Sequence, residues 1–89
     1  MYQLLYSRKA LDDLKTLDSE VARRIKTKID FFVSQPNPLK FAKQLKDPRV
    51  GHHRFRIGDY RAIFDVDRRG SIKILMILRI GHRKDIYGL

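Results

Sequence analysis

Three arginines fall within eight residues of a strand-like stretch, RFRIGDYRAIF (residues 54–64). The Gly-Asp pair between its two apolar runs is typical of a two-residue turn that begins with glycine, which predicts a β-hairpin. In that register Arg56 lies opposite Arg61, and alternation along the strand places Arg54 on the same face. Guanidinium groups bind phosphate oxygens in pairs and stay protonated, so this arginine face is a candidate phosphate-binding surface.

The cost of this arrangement is the reason to look for a ligand. Like charges directly opposite each other destabilise a sheet by roughly 0.2 to 1 kcal/mol per pair, so Arg56 facing Arg61 indicates a bound anion. The alternative is a solvated strand face whose charges prevent aggregation, a role that lysine usually fills. The other face of the hairpin is apolar and is predicted to lie under helices: Phe55, Ile57, Tyr60, Ala62 and Phe64.

A second group of polar residues, GHRKDIY (residues 81–87), follows an apolar run at Ile72–Ile80. The apolar run predicts a central strand covered on both sides for much of its length. We expect Gly81 to break this strand, so that His82, Arg83 and Tyr87 lie just beyond it and over the arginine face. An imidazole, a guanidinium and a phenol beside a phosphate site suit proton transfer, RNA positioning and base stacking. A lone surface histidine is more often inert, and only the neighbouring hairpin favours a catalytic His82.

Two short helices are expected to hold this sheet in place. Ser7 is predicted to cap the first helix, after a strand at Tyr2–Tyr6, and Asp18 and Ser19 are predicted to cap the second. The sequence QPNP (residues 35–38) ends the second helix, because proline disfavours helical conformation in the residue before it. Apolar residues recur at helical spacing in both segments: Ala10, Leu11, Leu14 and Leu17, then Val21, Ile25, Ile29 and Phe32.

The order of elements predicts an α+β fold. Pro48 and Gly51 favour a loop in residues 39–53, with one turn of helix left open. Strand-like runs follow at residues 55–57, 60–66 and 72–80, separated by GD and DRRG. The expected architecture is an N-terminal strand, a two-helix hairpin and three antiparallel strands, with the helices packed on one face of the sheet. At 89 residues the chain suits a single domain, residues 1–89.

Charge is the strongest signal in the composition. The chain has 20 Lys and Arg against 10 Asp and Glu, and the excess is +2 in residues 1–39 but +8 in residues 40–89. This asymmetry predicts a polyanionic partner bound through the C-terminal half, and Lys43, Lys46 and Arg49 are candidate RNA-binding residues there. Without cysteine and without an apolar run longer than residues 74–78, we expect a soluble cytoplasmic protein with no membrane partner.

The stretch RFRIGDYRAIFDV, the apolar strand after it and the ending IGHRKDIY together resemble the RelE/ParE superfamily of toxin–antitoxin toxins. The resemblance covers essentially the whole chain in element order and length. The RelE branch consists of ribosome-dependent endoribonucleases that cut mRNA in the ribosomal A site. There the 2′-hydroxyl of a nucleotide attacks the adjacent phosphate and leaves a cyclic phosphate and a free 5′-hydroxyl.

By this resemblance, the candidate catalytic residues each take a role from the family. Arg54 and Arg56 match two basic strand residues, and Arg61 matches the arginine of a Tyr-Arg pair. Arg83 matches an arginine near the chain end, and Tyr87 matches a tyrosine that stacks on the base. His82 matches a histidine that some relatives use for proton transfer. Some relatives have lysines where this chain has Arg54 and Arg56. Because arginine hardly exchanges protons, we expect the hairpin arginines to stabilise negative charge, with proton transfer left to His82, Tyr87 or a ribosomal group.

Two other functions remain open on the sequence alone. The ParE branch shares the fold and often the Gly-His-Arg ending, yet it inhibits DNA gyrase without cutting RNA. A non-catalytic basic module that only binds nucleic acid is the other alternative. The resemblance also implies a cognate antitoxin with an acidic, amphipathic helical segment, besides the ribosome and mRNA. No cofactor is expected, and His52 and His53 would point to opposite faces of a strand, which argues against a shared metal.

Overall fold

The computed structural model describes residues 2–47, 49 and 51–88, and within them the chain folds as a five-stranded sheet with two helices on one face. The helices are α1 (Arg8–Lys15) and α2 (Ser19–Ser34). The strands are β1 (Tyr2–Tyr6), β2 (Ala42–Gln44), β3 (His53–Ile57), β4 (Tyr60–Arg69) and β5 (Ile72–His82). The predicted α+β class and the placement of the helices on one face are confirmed.

The sheet is mixed, in the order β1-β5-β4-β3-β2. β1 pairs with β5 in parallel, and every other neighbouring pair is antiparallel. β4 therefore lies at the centre, where it receives the hairpin partner β3 on one side and β5 on the other. This order places the β3–β4 turn and the end of β5 at the same end of the sheet.

Both helices begin where the sequence predicts. The Ser7 side chain accepts a hydrogen bond from Ala10 N at 3.0 Å, and Asp18 accepts one from Glu20 N at 2.9 Å. These caps satisfy backbone donors that the first turn of a helix leaves without an intrahelical partner. The inward stripes of the helices pack on the covered face of the sheet in one core, which includes Ala10, Leu14, Ile25, Ile29, Phe32, Phe55, Phe64, Leu75 and Ile77.

Several boundaries differ from the sequence prediction. The segment predicted as a loop contains a 3-10 turn at Pro38–Phe41 and then the short strand β2, while Pro48 lies outside the described residues. The DRRG sequence is not a loop, because β4 runs to Arg69 and the turn is formed by Gly70 and Ser71. Gly81 does not break β5, which continues to His82.

The prediction that β5 is covered on both sides is wrong for its open face, the sheet face away from the helices. Leu75 and Ile77 are buried under the helices, whereas Ile74 and Met76 on the open face are only half-buried. Ile72 is 45% exposed at the start of the strand. β5 is an interior strand of the sheet, but its N-terminal half meets helices on one side only.

A bulge in β5 changes which residues face the helices. Ile63 pairs with Arg79 and Phe64 pairs with Ile77, so Leu78 is the additional residue on the β5 side. An extra residue shifts the alternation of side chains beyond it. After the bulge, Ile80 joins the helix-side core, whereas without it Ile80 would lie on the open face.

Gly51 and Gly58 offer a matched pair of stability predictions. Both have positive φ, 147° and 60°. A Cβ at Gly51 would collide with Ile63 Cγ2 and lie 3.3 Å from Leu78 Cδ1, whereas a Cβ at Gly58 would meet open space. We expect Gly51→Ala to lower the free energy of unfolding by about 2 kcal/mol, from strain and overpacking, and Gly58→Ala by about 1 kcal/mol, from backbone strain alone. Urea denaturation measures both, and equal losses would contradict the steric argument.

Candidate nucleic-acid interface

The β3–β4 hairpin has the register that the sequence predicts. Ile57 pairs with Tyr60, Arg56 with Arg61, and Phe55 with Ala62. Gly58 supplies the positive φ that the first position of the turn requires, and no non-glycine residue of the described chain has positive φ. Because Phe55 and Ala62 lie in the helix-side core, alternation places the arginine face on the open side of the sheet.

Arg61 is the most constrained member of the arginine face. The residue is 9% exposed, and its Nη1 donates to the carbonyl oxygens of Gly58 at 2.9 Å and Tyr60 at 2.8 Å. Burial and the positive charges of Arg54 and Arg56 lower the pKa of Arg61. The turn carbonyls thus hold a partly desolvated cation in place while its other nitrogen atoms stay available to an anion.

Arg54 and Arg56 flank Arg61 without nearby compensation. Within residues 2–47, 49 and 51–88, no carboxylate lies within 4 Å of either guanidinium. Arg54 is half-buried and Arg56 is exposed. The repulsion across the strands is therefore not relieved by an ion pair in the described part of the chain.

The end of the chain brings two further predicted residues to this surface. Arg83 N donates to Asp59 O at 2.8 Å, which ties the residues after β5 to the β3–β4 turn. Arg83 Nε lies 3.4 Å from Asp59 Oδ1, an exposed pair that leaves the guanidinium accessible. Arg83 and Tyr87 both influence the pKa of Arg61, which places them near it, and Tyr87 is 50% exposed.

β2 extends the basic surface by one strand. Lys43 pairs with Arg54, so the two side chains share the open face of the sheet. The sequence indicates Lys43 as a candidate without fixing its position, because it predicts a loop where β2 lies. The three residues of β2, Ala-Lys-Gln, have weak strand propensity, and only the pairing with β3 fixes them in the sheet.

The other two candidate RNA-binding residues lie on the loop after β2. Lys46 lines a cavity of about 250 Å³ together with Leu45, Asp47 and Tyr87. Arg49 is exposed and forms a two-bond ion pair with Asp47, at 3.1 Å from Nε and 3.0 Å from Nη2. This contact lowers the pKa of Asp47. Lys46 thus lies beside the tyrosine, whereas the charge of Arg49 is already compensated.

His82 does not lie over the arginine face as predicted. It pairs with Tyr60, and the two rings make an edge-to-face contact at 5.5 Å on the helix side of the sheet. Its Nδ1 accepts a hydrogen bond from Lys84 N at 3.2 Å. The bulge at Leu78 is the physical reason, because it moves His82 to the face opposite Arg61.

His53 lies on the helix side of the sheet, whereas His52 lies on the open side, beside Asp65 rather than at Arg56 and Arg61. His52 Nδ1 lies 2.8 Å from Asp65 Oδ1, which also accepts from His52 N at 2.7 Å. His53 stacks on Phe64 at 5.3 Å, and burial lowers its pKa. Among the described residues, no three His, Cys, Asp or Glu side chains are grouped as metal ligands would be.

The position of His82 leads to a kinetic prediction. If the chain cleaves RNA, His82→Ala is expected to leave the shape of the pH–rate profile unchanged, because the imidazole lies on the opposite face from Arg61. The rate itself is expected to fall by less than about tenfold, through loss of the packing against Tyr60. Loss of one limb of the pH profile would instead assign proton transfer to His82.

The fold and the comparisons agree on the class of protein. Two helices pack on one face of a mixed sheet, and the arginine face lies on its open side. Residues 4–87 match the family model described as the ParE toxin of the type II toxin–antitoxin system parDE. The chain therefore belongs to the ParE toxin family and is a toxin of the type II toxin–antitoxin class. A comparison with curated proteins gives no match.

Solved structures show the same fold in three toxins. The toxin–antitoxin complex RelBE2 from Mycobacterium tuberculosis has a chain with 24% identity and a TM-score of 0.69, covering 92% of this chain and 98% of that one. The YoeB/ParE toxin from Agrobacterium tumefaciens has 19% identity, a TM-score of 0.65 and coverages of 90% and 97%. The RelB–RelE antitoxin–toxin complex from Methanococcus jannaschii has a chain with 26% identity and a TM-score of 0.60, covering 94% of this chain and 95% of that one. Within the described residues, no helix is long and apolar enough to cross a bilayer.

Proposed function

We propose that this toxin is a ribosome-dependent endoribonuclease that cuts mRNA in the A site and so inhibits translation. The observation that carries the proposal is the juxtaposition of Arg56 and Arg61 on the open face, with Arg61 held by turn carbonyls and Arg54 beside it. Such a set is unfavourable for folding alone and suits a phosphate whose negative charge increases during reaction.

In the proposed reaction the 2′-oxygen of one nucleotide forms a bond to the adjacent phosphorus, and the bond from phosphorus to the 5′-oxygen breaks. The products are a 2′,3′-cyclic phosphate and a 5′-hydroxyl. Arg54, Arg56 and Arg61 stabilise the five-coordinate intermediate electrostatically, and Arg83 adds a further guanidinium at the edge of the site. Tyr87 stacks on a base and holds the nucleotide in register with the arginines.

Proton transfer is assigned away from the arginines. Guanidinium groups stay protonated even when a pKa is lowered as at Arg61, so they do not act as the base. His82 lies on the other face and is left out of the chemistry. Tyr87 or a group of the ribosome is the remaining candidate, which gives a physical reason for the activity to depend on the ribosome.

The proposed partners follow from the same charges. The RelBE2 and RelB–RelE structures are complexes with an antitoxin. We propose a cognate antitoxin for this chain whose acidic residues neutralise the arginine face. Lys43 and Lys46 extend the surface along β2 and the next loop, where they contact RNA in the free toxin.

Primer extension on ribosome-bound mRNA tests the proposed function. Purified toxin is expected to produce defined stops within codons at the A site and to leave the same RNA largely intact without ribosomes. A catalytically impaired Arg61→Ala variant run in parallel controls for contaminating nucleases. Intact mRNA on translating ribosomes at saturating toxin would refute the proposal.

Inhibition of DNA gyrase is the second candidate. Its support is the ParE description of the matching family model. A supercoiling assay with purified gyrase separates the two functions, since inhibition of gyrase without mRNA cleavage would replace the nuclease assignment. Binding of RNA with neither activity would support the non-catalytic alternative.

A further inference from the structure

A cleft of about 750 Å³ lies between α2 and the β3–β4 turn, beside the arginine face but on the helix side of the molecule. Ile57 and Gly58 form part of its wall, together with Thr27. Four cationic side chains and two acidic ones line it: Arg23, Arg24, Lys28 and Arg56, with Glu20 and Asp59. The cleft therefore has an excess of positive charge and the size of a ligand-binding pocket.

The cations of α2 include a pair of like charges at unfavourable spacing. Arg24 and Lys28 are four residues apart, a like-charge spacing that costs a helix about 0.2 to 0.5 kcal/mol. In the described part of the chain, no carboxylate lies within 4 Å of the guanidinium groups of Arg23 and Arg24.

Arg56 connects the cleft with the arginine face. It lies opposite Arg61 in the hairpin and is also part of the cleft lining. β2 pairs with β3 only from His53 to Phe55, so no strand among the described residues pairs with β3 at Arg56 on that side. A polyanion bound at Arg61 can thus continue past Arg56 into the cleft without leaving positively charged surface.

We infer that the cleft is a second phosphate-binding subsite, which takes the backbone of the same RNA strand several nucleotides away from the arginine face. This inference rests on the proposed RNA binding at the arginine face and adds the path of the strand beyond it. RNA fits better than an acidic protein segment, because three of the four cations in the cleft are arginines, and their guanidinium groups bind phosphate bidentately. Surfaces that bind single strands use such continuous cationic grooves.

Direct binding of oligoribonucleotides to the purified toxin, without ribosomes, tests this inference. Unstructured RNAs of about 4 and about 12 nucleotides span the range of single-strand binding sites, and the longer RNA is expected to give the steeper salt dependence. Changing Arg23 and Arg24 together to alanine should reduce the slope of log affinity against log salt by roughly 0.7 for each phosphate that the variant no longer neutralises. The reduction should be confined to the longer RNA.

The controls separate a subsite from general electrostatics and from misfolding. The double variant Arg8→Ala and Lys9→Ala removes the same charge from exposed positions on α1. It should leave the longer RNA with the same excess salt dependence over the shorter RNA as in the wild type. Changing Arg23 and Arg24 to lysine keeps the charge and should restore the slope. Melting curves of each variant verify folding.

Three outcomes would overturn the subsite. The first is an equal salt slope for the short and the long RNA, and the second is an equal reduction of the slope in the Arg8/Lys9 control. The third is that the Arg23/Arg24 alanine variant loses binding to oligo-glutamate but keeps its binding to RNA, which would assign the cleft to an acidic protein. These outcomes come from binding measured without ribosomes. Failure of the nuclease proposal is detected separately, by primer extension on ribosome-bound mRNA.

Discussion

Replacing Arg61 with alanine is expected to slow cleavage of ribosome-bound mRNA by roughly 10²- to 10³-fold, the usual effect of removing one preorganised charge-stabilising donor. Arg61 is fixed by the carbonyls of Gly58 and Tyr60, so its guanidinium needs little reorganisation as negative charge develops on the phosphate. Single-turnover cleavage on stalled ribosomes measures the chemical step without a contribution from product release.

Stability should change much less than activity in this variant. Loss of the two hydrogen bonds to the turn costs about 1 to 2 kcal/mol, and relief of the repulsion from Arg56 offsets part of it. Arg69→Ala is a matched control, because Arg69 lies on the same strand but is exposed and paired with Asp67. Arg61→Lys keeps the positive charge but removes the planar guanidinium with its paired donors, so it separates the electrostatic from the geometric contribution.

The role of Arg61 would be refuted by a specific pattern of results. If Arg61→Ala lowered the melting temperature strongly while the folded fraction kept its specific activity, the residue would be structural. If the Arg69 variant lost as much activity as the Arg61 variant, the effect would come from net charge rather than from the arginine face.

The hairpin register was predictable because its determinants are local. A glycine-led two-residue turn fixes which residues lie opposite each other, and the period of two then fixes the faces. The helix starts at Ser7 and Asp18 were predictable for a similar reason, since a cap depends on residues within one turn. Together these local signals place the arginines on the open face before any tertiary information is available.

The features that could not be predicted depend on contacts distant in sequence. β2 is three residues long and joins the sheet by pairing with β3, so its own composition does not predict a strand. The side of the sheet occupied by His82 depends on the bulge at Leu78, which appears only when β5 is paired with β4. The sequence prediction places His82 over the arginine face because it takes Gly81 as the end of the strand, whereas β5 continues to His82 and the bulge turns that residue to the helix side.

The largest stability effect is expected at a contact that the sequence did not indicate, between α1 and the end of β5. Asp13 accepts hydrogen bonds from Arg79 Nε at 2.9 Å, from Arg79 Nη2 at 3.1 Å and from Ile80 N at 2.8 Å. The side chains of Arg79 and Asp13 are 26% and 16% exposed. The Asp13 carboxylate raises the pKa of Arg79. One carboxylate thus satisfies a mostly buried cation and a backbone amide directly after the bulge.

Asp13→Ala is expected to lower the free energy of unfolding by about 3 kcal/mol, because it leaves a mostly buried guanidinium and the Ile80 amide without their acceptor. Asp12→Ala is the control, since Asp12 is 58% exposed and lies 3.9 Å from Arg8, a pair worth at most about 0.5 kcal/mol. Urea denaturation measures both. A difference below about 1 kcal/mol between the variants would contradict the argument. Adding Arg79→Met to Asp13→Ala should recover part of the loss, because it removes the unpaired charge that the first substitution creates.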